Sequence, residues 1–133
     1  MERLRMRRVR QHLAKPKVED VPSEIAGCMA RLSGRVKPGM SVAVTAGSRG
    51  ITGIPVILRG VVKALRDLGA EPFIVSAMGS HGGGTTPGQE RVLHHLGITE
   101  ETVGAPFRMT STAIEMGRTQ SRRALYVDAE AAK

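Results

Sequence analysis

Apolar and polar positions along this chain alternate between two spacings. A compact β-branched run, SVAVTA at Ser41–Ala46, suits a buried strand. After a glycine-bearing loop over residues 47–53, Ile57, Val61, Leu65 and Leu68 recur at helical spacing, while Arg59, Lys63 and Arg66 take the other face. Pro55 suits the first helical turn and Gly69 the carboxyl-terminal cap. The pattern then repeats. Residues 72–77 form a second apolar run and residues 78–85 a second glycine-rich loop. Residues 87–96 form a second helix, which Thr86 and Gln89 open in the manner of a capping box and Gly97 ends. Ahead of the first strand, Ile25, Cys28, Met29 and Leu32 predict a short amphipathic helix over residues 22–32. Past Gly97 the signals thin to one helical turn over residues 99–102, short strands over 113–116 and 124–127, and a helix beginning at Asp128.

Strand, glycine loop and helix, twice over, predict an α/β fold: a Rossmann-like three-layer unit built on a parallel sheet, forming part of a domain. The crossover rule puts both glycine loops at the carboxyl edge of that sheet, where ligands bind. A length of 133 residues fits one domain. Its expected organisation is a basic segment over residues 1–17, followed by the α/β domain over residues 18–133, incomplete at its carboxyl-terminal end. With no Trp, one Tyr and two Phe, the core must be aliphatic, and aromatic platforms for stacking bases are nearly ruled out.

The formal charge of +8 is concentrated at one end: five Arg and two Lys against Glu2 give the first seventeen residues +6 and leave +2 for the rest. Such a segment reads as a solvated tail or an edge strand, and the alternation Arg3, Leu4, Arg5, Met6, Arg7 favours the strand. Nucleic acid ranks last among the expected partners, since it would require the basic segment to supply the affinity. The charged start is followed by no apolar stretch of a secretory signal, and no run is long enough to span a bilayer, so a cytoplasmic protein without a membrane partner is expected. Cys28 is the single cysteine and reads as a small core residue of its helix.

Chemistry is concentrated in the two loops. The first, Ala46-Gly47-Ser48-Arg49-Gly50-Ile51-Thr52-Gly53, joins glycines that let backbone approach a ligand to a guanidinium that can grip a carboxylate or phosphate through two parallel hydrogen bonds. Arg49 either holds such an anion or simply faces water. The spacing is GxxGxxG, which disfavours a conventional dinucleotide site. In the second loop Gly79 and Gly84 have the outer spacing of a P-loop, but Thr85 stands where that motif needs lysine, so it is not an NTPase loop. What remains is His81, held in flexible backbone ahead of a helix N-terminus that favours anions. It is either a proton-transfer base or a polar loop residue bonded to a carbonyl. His94 and His95 are adjacent and point to different faces, and His12 lies in the basic segment. No spacing typical of a zinc or calcium site occurs, and no GxSxG elbow offers an acyl-transfer nucleophile.

At these loops the sequence resembles the nickel-dependent lactate racemase family. The family's first motif, an acidic residue, any residue, Thr and Arg, falls on Ala46, Gly47, Ser48 and Arg49. Its GxHRxxT motif falls on Gly79, Ser80, His81, Gly82, Gly83, Gly84 and Thr85. GITEETVGAP at residues 97–106, EMGRT at 115–119 and YVD at 126–128 also look like members of that family. Two positions differ, Ala46 for the acidic residue and Gly82 for the arginine. The resemblance implies an isomerase that moves hydride from a 2-hydroxy acid to a nickel pincer nucleotide and back. His81 would be the catalytic proton-transfer base, with Ser48, Arg49, Gly79 and Thr85 binding substrate or cofactor. It also implies that the lysine carrying the cofactor and the histidine binding nickel come from a later segment than this chain has, so the chain alone is expected to be inactive. The rival expectation is a non-enzymatic phosphate- or anion-binding α/β module. In either case the expected partner is a small anionic substrate or cofactor, and the open sheet edge calls for a second copy or a completing chain.

Overall fold

A computed structural model describes residues 7–14 and 17–133. Most of the proposed basic strand, including Arg3 to Met6, lies outside the described residues, and residues 7–14 contain neither helix nor strand. The rest is a mixture of helices and strands with two small sheets, one parallel and one antiparallel.

Helix α1, Val21–Ala30, is opened by the Asp20 carboxylate, which accepts from the Ser23 amide at 3.0 Å, and by Pro22 in its first turn. It ends before Leu32 and packs on the next helix through Ile25, whose side chain lies against Gly60. Cys28 is exposed, contrary to its expected place in the core. α1 packs along a single narrow seam and has no fully buried residue, so the wider stripe that would include Cys28 has nothing to cover it.

Strand β1, Ser41–Ala46, leads through the first glycine loop into helix α2, Ile54–Asp67, which buries Ile54, Leu58, Val62 and Leu65 along one face. Strand β2, Glu71–Ser76, then pairs parallel with β1, in a register that sets Val44 opposite Ile74 and Ala46 opposite Ser76. The run Pro72 to Val75 is buried without alternation, as expected of a strand covered on both faces. Helix α3, Thr86–His95, and the single turn α4, Glu100–Val103, follow. Beyond α4 the chain adds one more parallel bridge to the free side of β2: the Ile74 amide donates to the Pro106 carbonyl at 2.8 Å, and the Arg108 amide to the Ile74 carbonyl at 2.9 Å. The core that results is aliphatic, joining Ile74 and Ala46 of the sheet to Leu58 and Val62 of α2, Leu93 of α3 and Val103 of α4.

Strands β3, Ala113–Arg118, and β4, Ala124–Asp128, form an antiparallel hairpin with an irregularity between Glu115 and Gly117. No helix begins at Asp128. Its carboxylate accepts from the amides of Thr110 and Glu130 at 3.0 and 2.8 Å, which ties the chain into a turn against the start of the hairpin. Helix α3 also starts differently from expectation. Its cap is Thr85, whose hydroxyl accepts from the Gly88 amide at 3.2 Å, while Thr86 is already helical and bonds through its own hydroxyl to Ser111 at 3.0 Å. Gln89 does not reach back to the cap; it turns inward. No helix among the described residues is long and apolar enough to cross a membrane.

Candidate functional site

The parallel ladder fixes where the two glycine loops leave the sheet. It runs one step past the strands, with the Ala77 amide donating to the Ala46 carbonyl at 2.8 Å, so both loops emerge side by side at the carboxyl edge. The second loop is then held from beneath by Gln89, which is 9% exposed. Its Oε1 accepts from the Ser76 hydroxyl at 2.5 Å, and its Nε2 donates to the Gly79 carbonyl at 2.8 Å. The chain folds over into a tight turn at His81–Gly84, started by the His81 amide donating to the Met78 carbonyl at 3.2 Å. Gly82, at φ 64°, lies so close to Gly88 of α3 that a methyl group at either position would collide with backbone. The two glycines let loop and helix touch without intervening side chains.

These constraints bring together two residues 33 positions apart, as the Ser48 hydroxyl oxygen meets Nδ1 of His81 at 2.5 Å. If Nδ1 is unprotonated the serine donates to it; in the other tautomer the ring donates to the serine. A hydroxyl and an imidazole in this contact can relay a proton to a bound ligand, or activate the hydroxyl itself. A serine nucleophile needs its histidine oriented by a third group, and no carboxylate contacts His81 among the described residues. Arg49, next along the first loop, is exposed and makes no ion pair or side-chain hydrogen bond among the described residues.

Gly79 and Thr85 have internal work in this arrangement. The Gly79 carbonyl is taken by Gln89, and the Thr85 hydroxyl donates to the Gly82 carbonyl at 3.2 Å while capping α3. Both shape the loop that carries His81. His94 and His95 diverge as adjacent helical residues do: His94 lies 3.9 Å from Glu90 and 6.0 Å from the Phe107 ring, between centroids. His95 turns to the other side, into a cleft of about 490 Å³ whose wall also holds Ser48, Gly82, Arg91, Val92 and Leu96. Sequence reasoning missed Arg91 and Gln89 as parts of the site. Their positions on α3 relative to His95 and Thr85 were visible, but which face of α3 meets the loops was not. Among the described residues no three His, Cys, Asp or Glu side chains gather as a metal-holding group.

Comparison with protein-family models, with curated proteins and with solved structures finds no match to this chain.

Proposed function

We propose that the chain is the front part of a lactate racemase-like protein with a Rossmann-like α/β architecture, and that its glycine loops bind a 2-hydroxy acid. The observation that carries this reading is the contact between Ser48 and His81, since it joins the two stretches that resemble the family's motifs. In it His81 takes and returns the proton of the substrate hydroxyl, Ser48 holds the imidazole in place, and Arg49 draws the anionic group toward the pair. Gly79 and Thr85 keep the loop in the shape that presents His81.

The family's nickel pincer nucleotide would accept the hydride. The described residues do not fit that group by themselves, because no metal-holding set gathers among them. Proton transfer at His81 then has no hydride acceptor among the described residues, and the isolated chain is expected not to racemise lactate. A titration followed by amide resonances tests the binding half of the reading. Both lactate enantiomers should perturb Ser48, Arg49 and His81, and His81→Ala should leave the carboxylate held but alter the response at Ser48. Failure of both enantiomers to perturb these residues would end the reading. Arg49, exposed and without an ion pair among the described residues, also supports a second one, a non-enzymatic anion-binding module, in which inorganic phosphate binds and lactate does not.

A further inference from the structure

We infer that Arg91 and His95 form the anion-recognising wall of this site, gripping the carboxylate or phosphate of a compact ligand whose hydroxyl meets Ser48 and His81. The inference rests on the reading above in one respect, that the ligand brings a hydroxyl to the Ser48–His81 pair.

Arg91 and His95 are four residues apart on α3, so their side chains emerge one turn apart on the same face. That face borders the cleft of about 490 Å³, within the roughly 300–1,000 Å³ usual for small-molecule sites. Ser48 belongs to both the cleft wall and the contact with His81, so a ligand in the cleft lies within reach of the pair. Both Arg91 and His95 are exposed and make no ion pair or side-chain hydrogen bond among the described residues. The cleft wall contains no carboxylate. Glu90, the acidic residue of this helix, is engaged on another side with His94. The cleft therefore combines the positive charge of Arg91 with the apolar side chains of Val92 and Leu96, against which the hydrocarbon part of a ligand can rest. A guanidinium can hold a carboxylate or a phosphate in bidentate fashion, and Arg91 is the guanidinium that shares the cleft with Ser48; Arg49 is not in its wall.

The test is a titration of the full chain with inorganic phosphate and, separately, with lactate, repeated on Arg91→Gln, His95→Gln and Arg49→Gln. The altered side chains are exposed, and unchanged melting confirms that each variant folds. Arg91→Gln should raise the dissociation constant about tenfold and His95→Gln a few-fold, with Arg49→Gln changing it less than Arg91→Gln. Lactate binding at Ser48 and His81 that ignores both Arg91→Gln and His95→Gln would overturn the wall and leave the 2-hydroxy acid reading standing. Phosphate held by Arg91 and His95 with lactate rejected would keep the wall and end that reading. If neither anion binds, the wall is wrong.

Discussion

The side-chain amide of Gln89 reaches back from the first turns of α3 to the carbonyl of Gly79, 2.8 Å away, and so fastens the glycine loop to the helix that follows it. The same amide accepts the Ser76 hydroxyl at the end of β2. Gln89→Leu keeps much of the volume but removes both hydrogen bonds, leaving the Ser76 hydroxyl and the Gly79 carbonyl without their partner. A loss of about 1–3 kcal/mol in urea denaturation is expected. The His81 ring resonances should shift as well, because the loop that aims the ring is released. Unchanged stability would show that water replaces the amide.

The contact between Gly82 and Gly88 sets a second expectation. Gly88→Ala places a methyl group against the Gly82 carbonyl and should cost about 1–3 kcal/mol, even though alanine is the better helix former. Gly83, at φ 71°, has open space around it, so Gly83→Ala bears only the backbone penalty of about 1 kcal/mol. Denaturation midpoints of the two variants should fall in that order.

Thr85 and Thr86 can be told apart in the same way. Thr85→Ala removes the hydroxyl that caps α3 and should cost about 1 kcal/mol. Thr86→Ala removes an exposed hydroxyl contact with Ser111 and should cost about 0.5 kcal/mol. The reverse order would move the start of the helix by one residue.

The two strands, the helix between them and both glycine loops were legible in the sequence from two apolar runs, a helical spacing between them and the glycines that follow each strand. The helix was legible but its face was not: of Ile57, Val61, Leu65 and Leu68 only Leu65 is buried, because the stripe that meets the core is Ile54, Leu58, Val62 and Leu65, whereas Pro72 to Val75 form an unbroken apolar run, as read. The meeting of Ser48 and His81 was not legible as a contact, since it depends on the register that sets Ala46 beside Ser76. A slip of one residue there would move the loops by about 3.3 Å relative to each other. The cap of α3 was misread because the residue before a proline usually avoids helical backbone, yet Thr86 before Pro87 is helical here. The pairing of β3 with β4 was also hidden, as their apolar residues stay largely exposed and leave no clear inward face: Met116 is 59% and Tyr126 62% exposed.

Cys28 offers a direct check on the packing of α1. In the native protein it should react with a thiol-exchange reagent at nearly the rate of a free thiol, without denaturant. A slow reaction accelerated by urea would return it to the core.

The parallel pairing of β1 with β2 also has a consequence for the order in which the molecule assembles. Every rung of that sheet joins residues on opposite sides of the whole of α2, whereas the rungs of the hairpin span one short turn. Closing the longer loop costs more chain entropy before any contact rewards it, so the hairpin can form locally while the sheet waits for α2 to condense. Ser48 and His81 are strangers until that late event. Pulse-labelled hydrogen exchange during refolding should protect the Thr119 amide at the hairpin turn before that of Ala77, which donates to Ala46 across the parallel sheet, making the capacity to bind a ligand among the last properties the chain acquires.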